Sequence, residues 1–291
     1  MHIAFLGLGR MGAAMAAHAL THDHRLTVWN RTPQRAESLV ARGAELAENP
    51  AAAARAADVV VLMLSDGDAV RAALFGAQGV STGARPGTLL INATTIGPDE
   101  AREFAAEADR AGLRYVDAPV AGSVRPATDG TLGVFVGGAD DAVAAARPVL
   151  GLWGAADRIQ HVGPVGAGSA LKLVVNLSIG VAIEGVGEAL RLAADLGVDR
   201  TRALDALAAG PLSPTLAQKR SMLDGGDFSE TAFSVQLLAK DLALAVRNGR
   251  RPLPATEAAL AAARDTAESG HADDDYAAVA AAVEVPDSPE G

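Results

Sequence analysis

The chain has 291 residues, of which 49% are apolar and only 3% aromatic, and it contains no cysteine. Its 25 Lys and Arg residues stand against 35 Asp and Glu residues, which gives a formal net charge of −10 at pH 7. These values predict about two domains, exclude disulfide, thiolate-zinc and cysteine-nucleophile chemistry, and argue against nucleic acid or an anionic membrane as a partner.

The first half of the chain alternates between strand-like and helix-like segments. Short, nearly all-apolar strands separated by helices predict a parallel sheet that is covered on both faces. The strand-like segments are residues 2–6, 26–29, 59–64, 89–92, 115–117 and 133–136. The charged, Ala-rich segments between them, which predict helices, include residues 33–42, 68–73 and 98–111.

Strand signals end near the Gly- and Pro-rich residues 162–168. A long Ala/Leu/Val pattern then predicts a helix over residues 169–196 that stops before Gly197. Further helices are predicted over residues 201–209, 215–223, 237–249, 256–269 and 275–283. We therefore predict an α/β fold, with a doubly wound Rossmann domain (residues 1–163) and an all-α domain (residues 164–291) that are joined by the long helix.

A glycine-rich turn follows the first strand and opens a helix. It reads Gly7-Leu8-Gly9-Arg10-Met11-Gly12, the pattern G-x-G-x-x-G. Gly7 permits the tight turn, Gly9 lets the backbone approach a diphosphate, and Gly12 lets the helix pack closely on the strand. In this strand–turn–helix context the motif predicts a dinucleotide with its diphosphate at the helix N-terminus.

The residues after the second strand indicate which dinucleotide is bound. An NAD-binding chain usually has a carboxylate there, whereas this chain has Asn30, Arg31 and Thr32, followed by Arg35. The Arg31 guanidinium can stack on adenine and bind a 2′-phosphate with two N–H groups, and Thr32 adds a hydroxyl donor. The pattern predicts NADP(H).

Lys172 and Asn176 lie four residues apart in the long helical pattern, which places them on one helix face among apolar neighbours. A lysine in such a setting is either a surface residue with a buried aliphatic stem or a functional ammonium that faces a cleft. The spacing alone does not decide between these two interpretations.

Five ordered motifs resemble those of the β-hydroxyacid dehydrogenase family, essentially from end to end. The first is the glycine turn continued to Met15, which resembles G-L-G-x-M-G-x-x-M. The others are residues 92–98 (a segment ending S-T-x-x-P), 117–123 (a substrate loop), 166–176 (G-x-G-x-x-x-K-x-x-x-N) and 240–242 (K-D-L).

The resemblance implies a role for each site residue. Lys172 would be the general acid that protonates the carbonyl oxygen during reduction, and Asn176 would position the substrate or Lys172. Lys240 would contact the cofactor, and Asp241 would be a structural or substrate-orienting partner. The nicotinamide side would be lined by Leu64, Ser65, Thr94 and Thr95. The substrate would be bound by Ala121, Gly122, Ser123, Lys172, Asn176 and Asp241.

The substrate loop departs from the family pattern S-G-G, because it reads Ala121-Gly122-Ser123. Its Gly-Ser half resembles the NADPH-linked branch that reduces glyoxylate and succinic semialdehyde. Ala121 stands where that branch has Ser, so one hydroxyl donor to a substrate carboxylate is absent, worth roughly 1 kcal/mol or more if its partner stays unpaired.

We therefore expect an NADPH-linked reductase of a small aldehyde or keto acid. The alternatives are oxidation of 3-hydroxyisobutyrate or a similar acid, imine reduction on the same fold, and a non-catalytic NADP-binding protein. Retention of both Lys172 and Asn176 argues against the non-catalytic alternative. We further expect a cytoplasmic homodimer or homotetramer with no nucleic-acid or membrane partner and no bound metal.

Three clusters of titratable residues are predicted to lie at the surface or at a subunit interface rather than to bind a metal ion. His18 and His22 lack a surrounding metal-ligand signature. Glu184 and Glu188 are expected to face solvent or a subunit interface. The run 273–275 of three Asp residues lacks the spacing of a calcium-binding EF-hand loop and predicts a solvated helix start.

Overall fold

The computed structural model describes residues 1–22 and 24–281. It divides into two compact units, Met1–Lys172 and Leu173–Gly291. The first unit contains the sheet, and the second is helical. The predicted fold class, a Rossmann domain followed by a helical domain, is confirmed. The boundary at residues 163 and 164 stays a prediction.

Within the described residues, nine strands form one sheet in the first unit. They are β1 (His2–Leu6), β2 (Arg25–Trp29), β3 (Glu45–Leu46), β4 (Val59–Leu62), β5 (Leu89–Asn92), β6 (Arg114–Asp117), β7 (Val120–Ala121), β8 (Gly133–Gly137) and β9 (Ile159–Gly163). The order is β3-β2-β1-β4-β5-β6-β8-β7, and β9 pairs with β8. Strands β1 to β6 pair in parallel, whereas β8 is antiparallel to β6 and β7.

Helices cover this sheet on both sides. They are α1 (Arg10–Thr21), α2 (Glu37–Val40), α3 (Pro50–Ala54), α4 (Gly67–Phe75), α5 (Val80–Gly83), α6 (Pro98–Arg110), α7 (Val124–Asp129) and α8 (Asp140–Leu150). Alternate residues of one strand enter two different cores: Ile3 and Phe5 pack in one, Ala4 and Leu6 in the other. This alternation explains why the strands are apolar on both faces.

The parallel register brings the carboxyl ends of the central strands to one edge. Leu6 of β1 aligns with Trp29 of β2 and with Leu62 of β4. Leu62 aligns with Asn92 of β5, which aligns with Asp117 of β6. The loops that leave these five residues therefore meet along one edge, where ligands bind in open α/β sheets.

The helix α9 (Ala167–Asp195) begins in the first unit and continues into the second. The second unit adds α10 (Arg200–Ala208), α11 (Ser213–Gly225), α12 (Val235–Asn248), α13 (Pro254–Thr266), a π-helical turn (Ala267–His271) and α14 (Ala278–Ala281). Gly180 and Gly187 let neighbouring helices approach α9 closely. A Cβ at Gly180 would lie 2.7 Å from the Leu242 side chain, and one at Gly187 would lie 3.1 Å from the Ala280 backbone.

Several predicted element bounds are wrong. The strand predicted over residues 59–64 ends at Leu62, and the helix predicted over 33–42 is a 3-10 turn (Pro33–Ala36) followed by α2. Strands β3, β7 and β9 were not predicted, because β3 and β7 have two residues each and β9 contains exposed polar residues. The helix predicted over 275–283 is helical only at Ala278–Ala281, and its last two residues lie outside the described part.

By length and composition, α9 could cross a membrane. It has 29 residues, and its most apolar 18-residue window has a mean hydropathy of 1.6. Core helices also satisfy this criterion, and 44% of that window is buried inside the protein. This one helix is therefore only weak evidence for a membrane-spanning segment.

Candidate active site

The glycine turn after β1 is built from close backbone contacts. Gly7 has a φ of +101°, its N–H donates to the carbonyl of Trp29 over 2.9 Å, and a Cβ there would lie 2.1 Å from the carbonyl oxygen of Met63. A Cβ at Gly12 would lie 2.1 Å from the Gly7 carbonyl oxygen. These two positions therefore require glycine.

Gly9 differs from the other two glycines, since no atom lies within 4 Å of the place where its Cβ would be. It precedes the 12-residue helix α1, which has no acidic residue in its first turn. An open backbone beside the positive end of a helix fits a dinucleotide diphosphate. The structure therefore satisfies the requirements that the motif places on Gly9.

The Asn30 side chain ties the second loop of this edge to the glycine turn. Its Oδ1 accepts the N–H of Leu8, and its Nδ2 donates to the carbonyl of Thr32, each over 2.9 Å. Both polar atoms of the Asn30 amide thus make hydrogen bonds within the protein. Asn30 shapes the two loops that would hold a dinucleotide.

Arg31 is exposed and lines a surface depression of about 360 Å³ beside the end of β2. Among the described residues, the guanidinium groups of Arg31 and of the exposed Arg35 have no hydrogen-bond or ion-pair partner. The depression also includes the exposed carboxylate of Glu48. The other lining residues are Trp29, Asn30, Pro33, Leu46 and Ala47.

The loops after β4 and β5 are joined by the Thr94 side chain, which is 1% exposed. Its hydroxyl oxygen accepts the N–H of Leu64 over 3.0 Å, and its own N–H donates to the Asn92 side chain over 3.0 Å. Ser65 is exposed and donates to Asp66, whereas Thr95 is half-buried. Thr94 therefore fixes the spacing of the two loops, and Ser65 and Thr95 are the more accessible hydroxyls.

The predicted substrate loop runs from β7 into α7. Gly122 has a φ of +137°, and a Cβ there would lie 2.7 Å from the Leu132 side chain, so the loop requires glycine. Ser123 is the N-cap of α7, but its side chain makes no capping hydrogen bond. Ser123 is half-buried, and its hydroxyl does not accept the backbone N–H of the helix that an N-cap serine usually binds.

Asp117 is a buried residue of this region that sequence analysis treated only as the start of a motif. Its carboxylate accepts the backbone N–H groups of Gly166 and Ser169, at the start of α9. The helix that carries Lys172 is thus joined to the end of β6. The only sequence signal for Asp117 is its place at the start of the segment 117–123, which resembles the family's substrate loop.

Lys172 and Asn176 lie one turn apart on α9, at the end of the first unit and the start of the second. Lys172 is half-buried. Asn176 is 2% exposed, and its Nδ2 donates to Asp241 Oδ2 over 2.5 Å. The Lys240 ammonium lies 2.8 Å from the other oxygen of Asp241. Asn176, Lys240 and Asp241 therefore form one cluster in the second unit.

In two of the three clusters that were predicted to lie at the surface, one residue is more buried than expected. Asp275 is fully buried and pairs with Lys219 over 2.8 Å, so it is no part of a solvated helix start. The Glu184 side chain is only 12% exposed and pairs with Arg191 over 3.1 Å, and burial raises the pKa of Glu184. His18 has a structural contact, since its ring lies 2.9 Å from the carbonyl of Ala127. Across residues 1–22 and 24–281, no group of three or more His, Asp or Glu side chains is arranged to hold a metal.

The fold and the glycine turn define a dinucleotide-binding protein. Residues 2–163 match the family described as the NAD-binding domain of 6-phosphogluconate dehydrogenase. Residues 166–283 match the family described as NAD-binding of NADP-dependent 3-hydroxyisobutyrate dehydrogenase. The chain belongs to the β-hydroxyacid dehydrogenase family.

Individual relatives agree with this assignment. A 3-hydroxyisobutyrate dehydrogenase of Pseudomonas aeruginosa is 40% identical over 197 residues, which is 68% of this chain and 65% of that protein. An NAD-dependent L-serine dehydrogenase of the same organism is 33% identical over 288 residues, 95% and 96% of the two chains. The structure of Mycobacterium tuberculosis 3-hydroxyisobutyrate dehydrogenase with L-serine has a TM-score of 0.86 and 32% identity, and covers 98% of this chain and 99% of that chain. This protein is accordingly an NAD(P)-dependent hydroxyacid dehydrogenase of that family.

Proposed function

We propose that this protein uses NADPH to reduce a small aldehyde or keto acid, such as glyoxylate or a short semialdehyde, and that Lys172 is the general acid. The observation that carries the proposal is the half-buried Lys172, one helical turn before the buried Asn176. Asn176 is itself held by the Asp241 carboxylate, so a fixed polar group lies on the same helix face as Lys172.

The chemistry divides between the cofactor and the chain. A bound NADPH supplies a hydride to the carbonyl carbon. The Lys172 ammonium donates one proton to the carbonyl oxygen, which becomes the hydroxyl of the product, and Lys172 is left as a neutral amine. Before that transfer, its positive charge stabilises the negative charge that develops on the oxygen.

Arg31 supports NADPH over NADH. It is exposed in the depression beside β2, where a guanidinium can bind a 2′-phosphate. The exposed Glu48 in the same depression opposes a phosphate, and one relative is named as NAD-dependent. Cofactor preference therefore depends on which of these two side chains the adenosine ribose contacts.

The Ala121-Gly122-Ser123 loop would bind the carboxylate of the substrate through backbone N–H groups and the Ser123 hydroxyl. Ser123 supports this role because its side chain is not used to cap α7. Ala121 offers no hydroxyl, which favours an acid that needs one donor fewer.

A second candidate function is the oxidation of a β-hydroxyacid. It is favoured by the relatives named for 3-hydroxyisobutyrate and L-serine, which are 33% to 40% identical to this chain. Lys172 would then act as a base and remove the hydroxyl proton while the hydride leaves the carbon.

The test is a panel of steady-state assays on the full chain. Glyoxylate, succinic semialdehyde and a cyclic imine are offered with NADPH or NADH, and 3-hydroxyisobutyrate and L-serine with NADP⁺ or NAD⁺. The proposal predicts the highest kcat/KM for an aldehyde acid with NADPH. A higher value for a hydroxyacid supports the second candidate, whereas turnover of the imine alone, or binding of NADPH without turnover, contradicts both. Assembly as a homodimer or homotetramer and a cytoplasmic location stay predictions.

A further inference from the structure

Asp117 connects the end of the sheet to the start of the long helix. It is the last residue of β6, and its side chain is fully buried. One of its oxygens accepts the N–H of Gly166 over 2.8 Å, and the other accepts the N–H of Ser169 over 2.7 Å. These donors lie 49 and 52 residues further along the chain.

Two physical needs are met by this contact. The first N–H groups of a helix have no acceptor within the helix, and they carry a partial positive charge. A buried carboxylate, for its part, is costly unless donors surround it. Burial raises the pKa of Asp117, and the two backbone N–H bonds act in the opposite direction. Because the start of α9 occupies both oxygens, Asp117 is poorly placed to bind a substrate.

The helix start is also pressed closely against the sheet. A Cβ at Gly168 would lie 2.3 Å from the carbonyl oxygen of Phe135 in β8. A Cβ at Gly137 would lie 2.5 Å from Asp117 Oδ1. Glycine at both positions therefore makes the space in which the carboxylate meets the helix. A small change here would move the first turn of α9.

Lys172 lies only three residues after Ser169 on the same helix. Three residues correspond to about 4.5 Å along a helix axis, less than one turn. Since a helix is rigid over that distance, the anchor at Ser169 also fixes the position of Lys172 relative to the carboxyl edge of β6.

We infer that Asp117 is a positioning residue for the reaction: it holds the first turn of α9 so that Lys172 stands at the reacting carbonyl. The inference rests on the proposed function, in which Lys172 gives the proton. It assigns Asp117 no contact with substrate or cofactor. A misplacement of about 1 Å at a reacting group can lower the rate about 100-fold.

The test is a double-mutant cycle on the full chain, with wild type, Asp117→Asn, Lys172→Ala and the double variant. Asparagine keeps the size of the side chain but offers one acceptor oxygen to two N–H groups. We expect Asp117→Asn to lower kcat about 10- to 100-fold and to change the Kd of NADPH by less than about twofold. In the Lys172→Ala background, the same substitution should change turnover by less than about threefold, because the residue it positions is already gone.

Two further variants complete the design. Asp117→Glu keeps the buried charge but adds a methylene that displaces the helix start, so it should also lower kcat. Asp141→Asn alters a carboxylate that is 77% exposed and should leave kcat unchanged.

The inference is overturned if folded Asp117→Asn or Asp117→Glu keeps the wild-type kcat. It is also overturned if Asp117→Asn costs the same factor in both backgrounds, since Asp117 would then act independently of Lys172. Wild-type turnover by Lys172→Ala would instead contradict the proposed function, and with it the premise of the inference.

Discussion

The side-chain nitrogen of Asn176 lies 2.5 Å from a carboxylate oxygen of Asp241, and each of these residues is only 2% exposed. The amide is therefore held in one orientation. Its Oδ1 is buried and has no hydrogen-bond partner among the described residues. The Lys240 ammonium, 2.8 Å from Asp241, supplies the opposite charge to this carboxylate. Asp241 is thus placed to orient Asn176, the structural alternative that the family resemblance left open.

The loss of stability caused by substitutions at Asn176 should not follow the polarity of the new side chain. Asn176→Asp sets a second carboxylate against buried Asp241, whereas Asn176→Leu removes a donor without adding charge. We expect Asn176→Leu to cost about 1–3 kcal/mol of unfolding free energy and Asn176→Asp to cost more. Urea denaturation of both variants measures this order, and an aspartate variant as stable as wild type would contradict the packing described here.

Alanine substitutions at Gly9 and Gly12 should affect different properties: the first should weaken cofactor binding, and the second should lower stability. Since nothing lies within 4 Å of a Cβ at position 9, Gly9→Ala should change stability by less than about 1 kcal/mol. It should nevertheless weaken NADPH binding at least about tenfold, because the methyl group occupies space needed by the diphosphate. Gly12→Ala, whose Cβ would lie 2.1 Å from a carbonyl oxygen, should itself be destabilising by roughly 1–3 kcal/mol. Thermal unfolding and fluorescence titration of both variants check the two expectations, and equal behaviour of the variants would refute them.

Arg31→Ala should discriminate between the two dinucleotides. We expect the Kd of NADPH to rise about 10- to 100-fold and that of NADH to change by less than about twofold, because only NADPH carries the 2′-phosphate. Arg42→Ala, an exposed arginine that does not line the depression beside β2, is the matched control. The same loss of affinity for both dinucleotides would show that Arg31 does not bind the 2′-phosphate of NADPH.

The fold class could be predicted from the sequence because it depends on short-range patterns, namely apolar strands that alternate with helices. The apolar strands and the glycine turn are complete within a few residues, so β1, β4 and β5 were found. Pairings over long distances could not be found in this way. The Asp117–Ser169 bond spans 52 residues. The acid run that ends at Asp275 looked solvated because its cation, Lys219, lies 56 residues earlier.

Breaking the buried Lys219–Asp275 pair should destabilise the second unit more than breaking a surface ion pair does. Lys219 is 4% exposed, its ammonium contacts both oxygens of Asp275 at 2.8 and 2.9 Å, and it lies 4.4 Å from the centre of the Tyr276 ring. Lys219→Met leaves a buried carboxylate without its cation, which should cost about 3–5 kcal/mol.

The neighbouring Arg220 provides the control for that substitution. It pairs with Asp205 and Asp224, whose side chains are 66% and 47% exposed, so Arg220→Met should cost far less. Urea unfolding followed by circular dichroism compares the two variants. Equal losses would mean that the buried pair contributes no more than a surface one.

The most direct measurement of the central claim is the turnover of Lys172→Ala with NADPH and the best aldehyde acid of the panel. If Lys172 gives the proton, kcat falls at least about 100-fold, while the Kd of NADPH changes by less than about twofold. A variant that binds NADPH normally and keeps the wild-type kcat would contradict the account.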